Sequence, residues 1–165
     1  ALKHTGQPID KGGVLAAKGQ VNENVLAHLL QHAYFTKPAP KSLDRMDFAL
    51  DMARNLAAED GAATLTAFTA RAIAKARDHL PQAPQSWIVC GGGRLNPTLM
   101  RELRSALAGA TVITAEDAGW RGDFIEAEAT AYLALRSLRG LPISFPLTTG
   151  APKPTTGGTL HPARR

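Results

Sequence analysis

One segment, Trp87–Pro97, constrains the fold more than any other part of this chain; it reads WIVCGGGRLNP. A short apolar run there ends in three consecutive glycines, Gly91–Gly93, and is followed by an Asn-Pro pair with Asn96 at a helix-cap position. The pattern predicts a strand over Ser86–Cys90, a glycine turn, and a helix over Pro97–Ala108, which Gly109 would end.

A second strand and a second helix follow this segment. The run TVITA predicts a strand at Thr111–Ala115, and apolar periodicity predicts a helix over Ile125–Arg139. The residues of that helix expected to face inward are Ile125, Ala129, Tyr132 and Leu133. Strand, helix and strand in this order form a βαβ unit, whose right-handed crossover makes the strands parallel. The predicted fold class is therefore α/β, with a βαβ core and flanking helices.

The first part of the chain differs from the rest. Residues 1–45 are interrupted by glycines and prolines and predict one helix, from about Glu23 to Ala33, with Asn22 as its cap. We interpret 1–45 as a connector segment and 46–165 as the compact part.

Two further stretches have clear patterns. From about Phe48 to Leu80 the apolar spacing is helical, with a break predicted at Asp60–Gly61. The chain from Leu141 onward is rich in proline, glycine and threonine, which predicts a fixed surface loop.

Composition limits the function classes. The chain has a single cysteine, so it forms no intrachain disulfide, and we expect a cytoplasmic protein in which Cys90 is a small buried hydrophobic residue. No apolar run approaches the roughly 20 residues of a membrane-spanning helix. The net charge is +5, but acids and bases alternate along the helices and only 5% of residues are aromatic, which disfavours a nucleic-acid binder. We expect neither nucleic acid nor a membrane among the partners.

The glycine turn is the first candidate for chemistry. Gly91–Gly93 let the backbone approach a ligand, and free N–H groups at a helix start favour an anion; the alternative is a tight turn that needs glycine for steric reasons alone. It is not a P-loop, because no Lys-Ser or Lys-Thr follows. The Rossmann spacing is nearly met, with Asn96 in place of the third glycine and with Glu116 and Asp117 where a ribose-binding acid would lie.

Two charged pairs are weaker candidates. Glu126 and Glu128 are two positions apart on a predicted helix, about 200° of rotation, so at most one of them faces a site. Glu126 lies in the first turn, where the helix dipole alone would also favour a carboxylate. His28 and His32 have a zinc-binding spacing, but no third ligand is apparent and a solvated helix face is favoured. We predict no metal-binding residue.

Five segments, in order along the chain, carry a resemblance to a known family. They are HTGQP at His4–Pro8, KPAPKS at Lys37–Ser42, GGGRLNPTLM at Gly91–Met100, IEAEATAYLA at Ile125–Ala134, and GLPISFPLTTGAPKPTTGGTLHP at Gly140–Pro162. Together they resemble the anhydro-N-acetylmuramic acid kinase family over nearly the whole chain.

The resemblance implies an actin-like ATPase fold of the hexokinase and Hsp70 type, whose two lobes close over ATP. This chain would be the C-terminal lobe, with 46–165 as its nucleotide-binding part. The implied enzyme uses ATP, Mg²⁺ and water to open the ring of 1,6-anhydro-N-acetylmuramic acid and phosphorylates it to the 6-phosphate in cell-wall recycling. The implied partners are the anhydro-amino-sugar, ATP and the N-terminal lobe of the same protein; a homodimer is a further expectation.

The resemblance also carries over to single residues. Gly91, Gly92, Gly93 and Asn96 match the nucleotide-contacting turn of the second lobe. Glu126 matches an acidic residue that we assign to positioning the anhydro-sugar or the attacking water.

Two parts of the family pattern are absent from this chain. They are the Gly-Thr-Ser phosphate loop and the Asp-Thr-Gly-Pro-Gly-Asn motif with the general-base aspartate, which is expected upstream. We therefore expect no catalytic residue in these 165 residues and no kinase activity from them alone. The alternatives left open are a stand-alone nucleotide-binding regulatory module and a Rossmann-type dinucleotide-binding domain.

Overall fold

The computed structural model describes residues 1–44, 47–48 and 50–162, in which helices precede, connect and follow a small sheet. The α-helices are α1 (Leu2–Thr5), α2 (Val14–Lys18), α3 (Glu23–Leu30), α4 (Asp51–Arg54), α5 (Ala58–Ala74), α6 (Pro97–Ala106), α7 (Ile125–Leu138) and α8 (Pro146–Thr149). The strands are β1 (Ser86–Val89) and β2 (Thr111–Thr114). Short 3-10 helices lie at Lys11–Gly13, Ala33–Thr36, Lys75–His79 and Gly92–Leu95.

The sheet is the predicted βαβ unit. Strands β1 and β2 run parallel, with Ser86 opposite Thr111 and Val89 opposite Thr114, and α6 connects them. The α/β class is therefore confirmed. Helix α6 ends at Ala106 rather than Ala108, because the backbone leaves the helical region at Leu107 (φ −104°, ψ 27°).

Helix α6 begins as the sequence indicates. The side-chain oxygen of Asn96 accepts a hydrogen bond from the Leu99 N–H at 3.0 Å, and Pro97 occupies the first turn. This cap satisfies one of the N–H groups that a helix start leaves unpaired. The position of α6 relative to the glycine turn is thereby set by local contacts.

The core lies between α5, α6 and one face of the sheet. Its buried side chains are Ala70, Ala74, Met100, Leu103, Leu107 and Val112. Trp87 and Val89 of β1 pack against this group from the sheet. These contacts hold the carboxyl ends of both strands, and hence the turns that follow them, in a fixed relation to α6.

The N-terminal segment packs onto the same helices. Helix α3 buries Val25, Leu26 and Leu29 in a second cluster with Phe68 of α5, and Asn22 caps α3 as predicted. Short helices α1 and α2 precede α3. The predicted boundary between 1–45 and 46–165 lies outside the described residues, so this division stays a prediction.

The predicted helix break at Asp60–Gly61 is wrong. Both residues lie within α5, and the interruption comes earlier, at residues 55–57, between α4 and α5. Asp60 and Glu59 lie in the first turn of α5, where acidic side chains complement the positive end of the helix dipole. The Asp-Gly pair therefore marks a helix start rather than a break.

The inward face predicted for α7 is also wrong. None of its residues is buried, and Tyr132 and Leu133 are 59% and 42% exposed.

The segment after α7 folds back on this helix, since Arg136 Nε donates to the Pro142 carbonyl at 2.7 Å and Ser144 pairs with Thr155. Helix α8 interrupts the predicted surface loop. Within the described ranges, the helices are too short or too polar to cross a bilayer.

Candidate functional site

The turn after β1 combines a backbone that requires glycine with free donors. Gly91 has φ 72° and ψ −179°, a conformation essentially restricted to glycine. At Gly92 a Cβ would meet no atom within 4 Å, so packing within this chain does not require glycine there. In the part of the chain that the structure describes, the N–H groups of Gly91–Gly93 donate to no acceptor.

The buried side chain of Arg94 supports the glycine turn through a hydrogen bond. The side chain of Arg94 is 3% exposed, and its Nη1 donates to the Gly91 carbonyl at 2.9 Å. Its Nε and Nη2 donate to Glu116 at 2.8 to 3.0 Å, and Nη2 also donates to Asp123 at 2.7 Å. Arg94 therefore connects the turn after β1 with the loop after β2.

The same contacts shift the pKa values of Arg94 and Glu116. The pKa of Glu116 is lowered to about 2, first by the hydrogen bonds from Arg94 and also by hydrogen bonds from backbone N–H groups. The pKa of Arg94 is raised, first by Glu116 and then by Asp123. Gly122 packs against the pair, since a Cβ there would lie 2.4 Å from Arg94 Nε. The site thus contains an ion pair that stays charged across the ordinary pH range.

A cleft of about 450 Å³ opens between the two loops. One wall is formed by Cys90, Gly91, Gly92 and Arg94, and the other by Gly122, Asp123, Ile125, Glu126 and Ala129. The structure therefore brings Gly91, Gly92 and Glu126 together. Gly93 and Asn96 do not line the cleft: Asn96 caps α6, and Gly93 packs towards Leu99.

Glu126 and Glu128 are separated as their spacing predicts. Glu126 lies in the first turn of α7 and faces the cleft, whereas Glu128 forms an ion pair with Arg121. The carboxylate of Glu126 is exposed and available to a ligand. Of the two carboxylates, only that of Glu126 lines the cleft.

The prediction that Cys90 is buried is wrong. Cys90 is exposed at the rim of the cleft. Side chains alternate between the faces of a strand, so Cys90 shares the face of Ser86 and Ile88, which are also exposed. The opposite face, with Trp87 and Val89, is the one that packs against the core.

Residues 1–163 match the model of a family described as anhydro-N-acetylmuramic acid kinase. The chain belongs to this family. It is 59% identical over 152 residues to an anhydro-N-acetylmuramic acid kinase of Mesorhizobium japonicum, covering 92% of this chain and 41% of that protein. A kinase of the same name from Rhodopseudomonas palustris is 56% identical over 155 residues, covering 94% and 42%.

A third relative with this name, from Rhodospirillum rubrum, is 51% identical over 161 residues and covers 98% of this chain. The chain spans 43% of that protein, and thus less than half the length of each of the three relatives. The family resemblance stated from the five segments is confirmed, and the family implies a sugar kinase with an actin-like fold.

The remaining candidates of the sequence have other partners. Asp117 accepts hydrogen bonds from the Thr114 N–H at 3.0 Å and hydroxyl at 2.8 Å, which lower its pKa. Since Glu116 is bound to Arg94, both acids of the Rossmann spacing are already engaged within the chain. His32 accepts from the Tyr34 N–H through Nδ1. Among the described residues, no group of three His, Cys, Asp or Glu side chains is placed to hold a metal ion.

Sequence reasoning missed the roles of Arg94 and Asp123 in this kinase-family chain. The available signal was topological: ligands in α/β folds bind beyond the carboxyl ends of parallel strands. Arg94 follows the turn after β1, and Glu116 and Asp123 follow β2. Charged residues of opposite sign after neighbouring parallel strands are therefore candidates for an ion pair at the site.

Proposed function

We propose that this chain forms the C-terminal lobe of an ATP-dependent anhydro-N-acetylmuramic acid kinase and supplies one wall of its nucleotide and sugar site. The proposal is supported by the family match over residues 1–163 and by the 41% share of a relative that the chain spans. The proposed reaction opens the 1,6-anhydro ring with water and phosphorylates the released primary hydroxyl. The product is N-acetylmuramic acid 6-phosphate, made in the cytoplasm during cell-wall recycling.

One observation carries the proposal: the glycine turn and Glu126 line the same cleft. The free N–H groups of Gly91 and Gly92 are donors of the kind that bind phosphate at a strand-to-helix turn. Gly92 has open space where a side chain would lie, so a phosphate oxygen can approach the backbone. The turn therefore fits the phosphates of ATP.

These residues contribute positioning and charge stabilisation. Phosphoryl transfer depends mainly on both, because the protein does little covalent chemistry. Backbone N–H groups at the turn would hold phosphate oxygens, and donors fixed in advance need no rearrangement as charge develops. The chain thus orients the nucleotide while another part of the protein supplies the base.

Glu126 is assigned to the sugar side. A carboxylate exposed in the cleft can accept hydrogen bonds from sugar hydroxyls or from the attacking water, and so fix their orientation. The general base itself is proposed to be an aspartate outside these 165 residues.

Magnesium accompanies ATP in this proposal. It is usually bound by one or two carboxylates together with the substrate phosphates and water. In this proposal the ion enters the site bound to the phosphates of ATP.

The test compares the 165-residue chain with the complete protein that its gene encodes. We expect phosphorylation of the anhydro-sugar by the complete protein and no turnover of ATP by the chain alone. A complete protein that leaves the anhydro-sugar unchanged would overturn the proposal, and turnover by the chain alone would overturn the division of the site. The mass of the complete protein in solution tests the proposed homodimer.

A matched pair of variants tests the sugar side. Glu126→Gln in the complete protein should lower kcat/KM for the anhydro-sugar, because the amide accepts weaker hydrogen bonds than a carboxylate. Glu128→Gln is the control, since its carboxylate pairs with Arg121 away from the cleft. Equal effects of both substitutions would contradict the assignment of Glu126.

A further inference from the structure

We infer that Arg94 is a positioning residue that holds the two walls of the cleft in a fixed relation, the glycine turn on one side and the segment leading to Glu126 on the other. The inference rests on the proposed function, because it concerns the same site. It goes beyond that proposal by naming the side chain on which the geometry of both walls depends.

Arg94 carries a buried positive charge. The guanidinium of Arg94 is almost fully enclosed, and all three of its nitrogens donate hydrogen bonds. The carboxylates of Glu116 and Asp123 reach solvent, and neither exposed nor buried ion pairs contribute dependably to stability. Through these contacts, the Arg94 side chain connects Gly91 to Glu116 and Asp123, which follow β2.

The contact of Arg94 with Gly91 bears on the direction of one N–H group in the glycine turn. The Gly91 carbonyl and the Gly92 N–H belong to the same planar trans peptide, so they point in opposite directions. The Arg94 guanidinium holds that carbonyl at 2.9 Å and the Arg94 backbone N–H holds it at 3.3 Å, and together they set the direction in which the Gly92 N–H points. This N–H has no acceptor among the described residues and belongs to the proposed phosphate turn.

Arg94 also contacts the opposite wall of the cleft. Asp123 binds the same guanidinium at 2.7 Å and precedes Glu126 by three positions. Gly122 lets this loop lie against Arg94, since any side chain there would collide with the guanidinium and with Glu116. A shift of Arg94 would therefore move the start of α7, and Glu126 with it.

Arginine has no simple substitute at this position. Its planar fork donates to Glu116 from two nitrogens while the third donates to Gly91. A lysine ammonium carries the same charge but is a single point of donation. Arg94→Lys thus keeps the positive charge but cannot donate to Glu116 and to Gly91 from separate nitrogens.

The experiment uses the complete protein and compares Arg94→Lys and Glu116→Gln with Arg101→Lys. Arg101 pairs with Glu102 on the outer side of α6, with its own side chain 62% exposed, and is the matched control. For each variant kcat, the KM for ATP and the KM for the anhydro-sugar are measured at known folded fraction. Thermal unfolding gives that fraction.

For Arg94→Lys we expect a KM for ATP that rises on the order of tenfold, and kcat/KM that falls by up to about a hundredfold, as small misplacements in active sites do. Glu116→Gln should give a smaller change of the same kind, because the amide oxygen still accepts one N–H. Arg101→Lys should change neither constant beyond about twofold.

Unchanged KM values, with kcat falling only as the folded fraction falls, would overturn the inference and leave Arg94 a merely structural residue. If Arg94→Lys does not fold, the same comparison of KM and kcat in Glu116→Gln decides the question. A wild-type protein that does not phosphorylate the anhydro-sugar refutes the proposed function instead, so the two failures are distinguishable.

Discussion

Arg94 donates from Nε and Nη2 to the carboxylate of Glu116, 22 positions later, and thereby joins the segments that follow the two parallel strands. The arginine is buried, whereas the carboxylate side chain is 49% exposed. The pair is thus anchored in the protein at one end and reaches solvent at the other. Because Arg94 also holds the Gly91 carbonyl, the ion pair and the glycine turn form one structural unit.

Acidification is expected to destabilise the folded state through Glu116. Its pKa of about 2 lies below the ordinary value of 4.5, because Arg94 favours the ionised form. The unfolded state therefore binds more protons, so this contribution to stability is complete above pH 4.5 and is lost as the pH falls towards 2. In Glu116→Gln the urea midpoint should decrease less than in the wild type between about pH 6 and about pH 3.

The control for this pH dependence is Glu102→Gln, whose carboxylate pairs with the exposed Arg101. It should keep the wild-type decrease. If Glu116→Gln loses stability as steeply as the wild type over this interval, the Arg94 pair is not its source.

Substitution by alanine should change the free energy of unfolding differently at Gly91 and at Gly92, the first two glycines of the turn. Gly91→Ala is expected to lower the free energy of unfolding by about 1–3 kcal/mol, because its backbone conformation is strained for any other residue. Gly92→Ala should change it by no more than about 0.5 kcal/mol, since a Cβ meets nothing there. Urea denaturation of both variants measures the difference.

Gly92→Ala has a second expected effect, on the proposed nucleotide site. The added methyl group stands where a phosphate would approach, so the Kd for ATP of the complete protein should rise while stability does not change. Unaltered ATP affinity in a stably folded Gly92→Ala protein would argue against phosphate binding at this turn.

The core between α5, α6 and the sheet depends on Leu103. This side chain is 2% exposed, and Leu103→Ala should lower the free energy of unfolding by about 2–5 kcal/mol through lost burial and a residual cavity. Leu147→Ala is the control, because Leu147 is 91% exposed, and it should cost less than about 0.5 kcal/mol. Similar losses in both variants would contradict this description of the core.

The start of α6 depends on the Asn96 cap. Asn96→Ala removes the acceptor of the Leu99 N–H and should cost about 1 kcal/mol of stability. Asn96→Asp retains an acceptor oxygen and should cost much less. The cap would not explain the loss if Asn96→Asp were as unstable as Asn96→Ala in the same chemical denaturation.

Local patterns in the sequence determined the elements that carry the site. The strand, the glycine turn, the Asn96 cap and the parallel βαβ unit were all predicted, because caps, turns and side-chain periodicity involve residues close in sequence. The same holds for the Asn22 cap of α3. The five family segments likewise required only the order of residues along the chain.

Only the tertiary structure decided what these elements meet. The roles of Arg94 and Asp123, the exposure of Cys90 and the unburied face of α7 depend on contacts between residues far apart in sequence, or on their absence among the described residues. The spacing of apolar residues predicts that a helix has an apolar side, but it does not predict whether another element covers that side. The parallel pairing of β1 with β2, and the contacts of Arg94 with Gly91 and Asp123, place the glycine turn and Glu126 at the same cleft.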